Sequence, residues 1–195
     1  MKPLTTLALI LSIVAAAAAA AAPARAGTET TTAAAAPAAP AAHLDLEVDP
    51  TAYVFGGFSV HLGLGWGHLR LDLGAYGMDV PRWFHGNDGF DAHFDGAGAK
   101  LQWFPRAAQR GAFVDVSTGW VRQHVARGGA SARNDALGVG VDAGWRFALP
   151  ADFYVTPWAG VGYQLGADDV MLDGHTFHNR AITVFAAVHV GYSFR

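Results

Sequence analysis

The strongest constraint in this sequence is a period of two. From Leu137 to Phe147 the residues Leu137, Val139, Val141, Ala143, Trp145 and Phe147 alternate with Gly138, Gly140, Asp142, Gly144 and Arg146. Such alternation puts one set of side chains on each face of a strand, and its glycine and β-branched content is poorly compatible with a helix. The pattern recurs at Leu69–Tyr76, Ala97–Trp103, Ala112–Trp120, Phe153–Tyr163 and Val184–Phe194. Each segment has one large apolar face and one face that is small or polar. Pro157 sits inside one of them and predicts a bulge or a local fault in the ladder.

Alternation alone fits a soluble sandwich or a membrane barrel, so the contents of the faces must decide. The chain holds 24 glycines and only 15% charged residues. Turned outward, the glycine-rich faces would leave a soluble surface with few charges. Turned inward, they fill a narrow lumen while the apolar faces meet lipid, and this arrangement fits the composition better. No apolar run long enough for a membrane-spanning helix follows residue 26.

Connection lengths give an independent reading. Gly65–His68, Pro105–Arg110 and Ala148–Asp152 are short, whereas Asp79–Phe90, His124–Asn134 and Gly166–Arg180 are long. Alternating short and long connections are expected when turns face the periplasm and loops face outward. The direction so assigned makes Gly57–Leu64 a descending strand, which requires an ascending one before it, and His43–Asp49 (HLDLEVD) has the alternation. A fourth, shorter outer connection lies near Pro50–Phe55. The fold class predicted is all-β, an eight-stranded antiparallel transmembrane β-barrel of outer-membrane type.

The N-terminus reads as an address. Lys2, the apolar run Leu4–Ala22 and the small residues of Ala24-Arg25-Ala26 make residues 1–26 a signal peptide. Residues 27–42 (GTETTTAAAAPAAPAA) are a disordered leader of alanine, threonine and proline, and the barrel domain is 43–195. Removing Lys2 and Arg25 leaves 11 basic and 16 acidic residues, net −5, with no basic stripe for nucleic acid. The absence of cysteine excludes disulfides, thiol chemistry and an acylated N-terminus.

Aromatic residues fall into two girdles. Trp66, Trp103, Trp145, Phe147, Phe153 and Phe194 lie toward the short turns, and Phe55, Trp83, Phe84, Phe90, Trp120 and Phe177 toward the loops. By alternation the inward face carries Arg70, Lys100, Arg146, Asp72, Asp115 and Asp142, a charge network that sums to zero and must be paired in a confined space. The lumenal glycines keep a narrow pore open as an alternative. Gly86-Asn87-Asp88-Gly89 reads as a tight hairpin tip.

The alternating segments, the signal peptide and the ending Val188, Val190, Tyr192, Phe194 resemble the small eight-stranded bacterial outer-membrane barrels of the OmpA-like and OmpX-like group. Within that group such a terminal strand is similar to the signal read by the barrel assembly machinery; here Arg195 follows Phe194. HGNDGF (His85–Phe90) and FYVTPWAGVGY (Phe153–Tyr163) resemble segments of an uncharacterised family of outer-membrane proteins, which brings no activity with it. The resemblance implies a monomer in the outer membrane, in contact with its lipid and lipopolysaccharide, with a structural or surface-interaction role. A narrow ion or small-solute pore is the alternative and a lipid A modifying enzyme the third.

Catalysis, a cofactor and a metal are not expected. Ser59 and His61 share a strand face, but a single Ser-x-His arises easily by chance, and the acid would have to be an aspartate. His175 and His178, with Asp168, Asp169 and Asp173 near them, have ligand chemistry but also the composition of hydrated turns.

Overall fold

In the computed structural model, residues 42–194 are described. The expected signal peptide, the expected leader up to residue 41, and Arg195 lie outside them. Eight strands close on themselves: β1 (His43–Val48), β2 (Phe58–Trp66), β3 (Leu69–Val80), β4 (Asp91–Trp103), β5 (Gly111–Arg127), β6 (Ala130–Ala148), β7 (Phe153–Leu165) and, last in the chain, β10 (Ile182–Phe194). Neighbours in sequence are neighbours in the sheet and every pairing is antiparallel. Closure is made by β1, which pairs with β2 on one side (Leu44↔Leu64) and with β10 on the other (Leu44↔Phe194). Between β7 and β10 a two-stranded hairpin, β8 (Val170–Leu172) and β9 (His175–Phe177), forms a separate sheet.

The burial is inverted relative to a soluble domain. Asp45 is 0% and Arg70 1% exposed, while Leu46, Leu62, Leu73 and Val188 stand at 43–50%. A ring of strands with apolar side chains outside and charges inside needs an apolar surrounding, because water would gain nothing from the exposed leucines and valines. Among the described residues no helix is long and apolar enough to cross a membrane. The strands do the spanning.

Two helices cap the loop end. α1 (Pro50–Val54) starts from Asp49, whose carboxylate accepts the Thr51 N–H at 2.9 Å. α2 (Arg82–His85) ends at Gly86 in the left-handed conformation, φ +70°. Gly86–Gly89 is therefore the exit of a helix rather than a hairpin tip.

One further expectation is corrected, and that for Pro157 is met as a local fault in the ladder. His124–Asn134 is not a loop: β5 and β6 run through it to a two-residue turn, Gly128 and Gly129, both at positive φ (+56° and +87°). This is the backbone a tight hairpin requires. Pro157 makes no bulge. The β6–β7 register is the same above it (Gly144↔Trp158) and below it (Phe147↔Val155), with the pairs between them missing. The proline removes a donor and interrupts the ladder without adding a residue.

Candidate functional site

The lumen is organised around Asp45, a residue of the shortest barrel strand. Arg70 Nε donates to its Oδ2 at 2.8 Å, Arg146 Nη2 to the same oxygen at 2.7 Å, and Ser193 Oγ to Oδ1 at 2.6 Å. Arg70 extends the cluster to Glu47 (2.9 Å), Asp72 (3.1 Å) and the side-chain oxygen of Gln102 (2.7 Å). Glu47 accepts from His189 Nδ1 at 2.9 Å and Asp72 from His61 Nδ1 at 2.8 Å. The two imidazoles lie 4.5 Å apart, centroid to centroid. The Arg146 guanidinium also covers the Tyr154 ring at 3.6 Å.

A second cluster lies beside the first. Lys100 Nζ donates to Asp142 at 2.9 Å and stands 3.2 Å over the Trp158 ring. Gln102 joins the two clusters, donating to Asp115 at 3.1 Å while accepting from Arg70. The six residues expected to face inward, Arg70, Asp72, Lys100, Asp115, Asp142 and Arg146, are thus all placed in the lumen. Their charge sum was incomplete. Asp45 and Glu47 belong to the same network, which brings the lumenal carboxylates to five against three fixed cations, with His61 and His189 as further partners.

Several of the lumenal glycines are slots for a large side chain leaning across from a neighbouring element. A methyl group on Gly63 would strike the Arg70 guanidinium, on Gly74 the His61 ring, and on Gly191 the Tyr154 ring. The Tyr76 hydroxyl would lie 3.0 Å from one on Gly119 and 3.4 Å from one on Gly98. An eight-stranded interior has room only for its own side chains, and here glycine on one strand makes room for arginine, histidine or tyrosine on the next.

At the turn end the β4–β5 connection folds inward. Gln109, only 1% exposed, turns into the barrel and donates from Nε2 to Gly67 O (3.1 Å) and Leu69 O (2.7 Å). It holds a left-handed φ of +51°, a conformation that costs a non-glycine residue energy and that those two bonds help maintain. Buried Phe104 and Phe113 pack at 5.3 Å beside it.

At the loop end the β8–β9 hairpin packs onto the barrel. Leu172 and Phe177 pack with Phe90, Ala92 and Val125 into the one apolar cluster of buried residues described. Phe177 meets the Phe90 ring at 5.5 Å and the His85 ring at 5.3 Å. Asn87 fastens the hairpin from both of its polar atoms, accepting the His178 N–H at 2.9 Å and donating to His178 O at 3.2 Å. Phe90 and Phe177 are therefore cap residues and not part of an outer girdle. The other expected interface aromatics, Trp66, Trp120, Trp145 and Phe194 on strands and Trp83 on α2, are exposed, and Trp103 is half-buried.

The cap carries an acid sensitivity. Hydrogen bonds from His178 and from the Asn179 N–H hold the Asp169 carboxyl below its usual range, and burial followed by nearby Arg82 lowers the His85 imidazole below its usual value. For a depressed carboxyl the folded state binds fewer protons than the unfolded one, so its contribution is present above the unfolded value and lost as pH falls. A depressed imidazole has the same sign. The cap is expected to loosen on acidification, first below about pH 6.5 through His85 and again below about pH 4 through Asp169. Amide protection factors across 168–179, taken against the intrinsic exchange rate at each pH, should fall at pH 4 relative to pH 7 while those of the barrel strands hold; equal protection factors at both values would refute this.

The alternative chemistries are placed as follows. His61 is paired with Asp72, but the Ser59 hydroxyl accepts the Asp49 N–H at 3.2 Å, so Ser59 is engaged with the backbone. His178 bonds Asp169 at 2.8 Å, while His175 turns to the Asp173 carbonyl. Among the described residues no three His, Cys, Asp or Glu side chains gather as metal ligands.

No protein-family model matches the chain and no curated protein matches it in sequence. Among solved structures it is similar to Neisserial surface protein A (15% identity, TM-score 0.46, covering 78% of this chain and 92% of that one). It is also similar to a major outer membrane protein of Thermus thermophilus (14%, TM-score 0.48, 79% and 100%) and to the N-terminal β-barrel domain of Pseudomonas aeruginosa OprF (13%, TM-score 0.38, 78% and 96%). At these scores the superpositions add no weight, and the closed register of the strands is what establishes the architecture. The chain is an eight-stranded antiparallel β-barrel of the transmembrane type, with apolar side chains on its outer face and buried ion pairs on its inner one.

Proposed function

We propose that the protein is a closed barrel of the outer membrane with a structural or surface-interaction role, exerted through its loop face. What supports this reading is the buried ion-pair network around Asp45 and Arg70, with buried Gln109, Phe104 and Phe113 toward the turns and the β8–β9 hairpin packed on Phe90, Ala92 and Val125 toward the loops. A wall that admits no solute leaves the loops as the working surface, in contact with lipopolysaccharide, a host or another cell. The apolar outer face of β10, ending at Phe194, is the segment offered to the barrel assembly machinery.

Purified protein should shift in mobility between unheated and boiled electrophoresis, as an SDS-resistant barrel does, and should be silent in a planar bilayer at all voltages. A variant with residues 168–179 replaced by a short Gly-Ser turn should also stay silent, because the ion-paired lumen remains below the missing cap. Stepwise conductance in the intact protein would overturn the closed-barrel reading in favour of a pore.

A further inference from the structure

Exposed arginines lie at both ends of the barrel. At the loop end Arg82 and Arg122 are ion-paired with Asp91 (2.7 Å) and Asp135 (3.0 Å), Arg127 donates to Asp88 O, and Arg133 and Arg180 are exposed on the loop side away from the interface tryptophans of the short turns. At the turn end, Arg106 and Arg110 of the β4–β5 connection are exposed and no ion pair holds either among the described residues. Asp152, on the adjacent turn, is already engaged.

These two arginines are held in place. Gln109 stands between them, buried and bonded to Gly67 and Leu69, and its N–H closes the turn on Arg106 O at 2.8 Å. Arg106 also borders the apolar belt. A methyl on Gly111 would lie 3.6 Å from the outward-facing Trp145 indole and 3.8 Å from Arg106 Nη1, so the guanidinium and the interface tryptophan flank one point. Trp103, at the end of β4 one residue before Phe104, stands on the same outer face. A guanidinium beside an outward-facing tryptophan at the belt edge, with a second arginine four residues on along the same pinned turn, is the chemistry that takes a lipid phosphate at headgroup depth with its acyl chains along the belt.

We propose that Arg106 and Arg110 hold the phosphate of an anionic glycerophospholipid from the leaflet the turns face. This rests on the membrane-spanning reading and adds a specific lipid site to it.

The test uses the folded protein in uncharged detergent micelles with short-chain phosphatidylglycerol, phosphatidylcholine or inorganic phosphate, binding being read by native mass spectrometry and by Trp fluorescence. Wild type should retain phosphatidylglycerol over phosphatidylcholine, with affinity falling as salt rises. The R106Q/R110Q variant should lose roughly 30-fold in affinity, at about 1 kcal/mol per basic residue near a charged headgroup. R106K/R110K should recover much of the loss, and R133Q at the loop end should change nothing. Equal binding by the Gln variant, or by phosphatidylcholine, overturns the site, as does displacement by millimolar inorganic phosphate, which would make it a free-anion site. The unheated gel shift separates the two levels: a variant that keeps the shift and its lipid sinks this proposal alone, and a wild type without the shift sinks the membrane reading itself.

Discussion

Replacing Arg70 with leucine is expected to remove about 3–5 kcal/mol of stability, the scale for breaking a buried ion pair from one side. Arg70 is 1% exposed and is the residue most of the lumen shares, serving Asp45, Glu47, Asp72 and Gln102 at once. Without it Asp45 keeps its bonds from Arg146 and Ser193 and a longer contact with His43, while Glu47 keeps only its bond from His189 and Asp72 only its bond from His61 among the contacts described. Three carboxylates are then buried with one cation among their remaining fixed partners, and no water reaches Asp45 to compensate. Urea unfolding followed by the folded and unfolded bands of unheated electrophoresis measures the loss. Arg70→Lys retains the charge but not the planar fork that meets three acids and an amide together, so it should fall between wild type and leucine. A loss for Arg70→Leu below about 1 kcal/mol, the scale of a surface pair, would mean the lumen is hydrated and the network incidental.

How far this site was legible follows from where its information lies. The strands are legible because lipid outside and a crowded lumen inside impose alternation residue by residue, and β1 shows it on Leu44, Leu46 and Val48. That Asp45 is the hub is not legible, because its partners Arg70, Arg146 and Ser193 lie 25, 101 and 148 residues away and only closure of the barrel brings them together. The missed stretch from His124 to Asn134 has a different cause. There β5 and β6 have risen past the apolar belt, polar residues such as Arg122, Asp135 and Arg133 occupy the outer face, and the alternation ends although the strands do not. Phe90 and Phe177 were indistinguishable from girdle residues because a loop has no period to say which way its side chains point. Gln109 leaves no local signal: its burial depends on acceptors at Gly67 and Leu69, offered by a different hairpin.

The slots can be tested more sharply than the charges, since a glycine-to-alanine change adds one methyl and removes nothing. The three atoms nearest to a Cβ on Gly63 all belong to the Arg70 guanidinium. Arg70 cannot retreat without giving up Asp45 or Glu47, so Gly63→Ala is expected to cost about 1–3 kcal/mol as overpacking against a side chain fixed by its ion pairs. The same methyl should be nearly free in the Arg70→Leu background, where a shorter side chain leaves the slot empty. The two changes together should therefore destabilise by clearly less than their separate costs combined, a coupling that residues in contact show and distant ones do not. Gly138→Ala is the control: only Gly119 O approaches its added methyl, at 3.6 Å, and filling a strand glycine there should be neutral or stabilise by about 0.5–1 kcal/mol. Additive costs at Gly63 and Arg70, or equal costs at Gly63 and Gly138, would mean that the glycines serve the backbone of the barrel alone and that the interlocking of slot and side chain is not what fills the lumen.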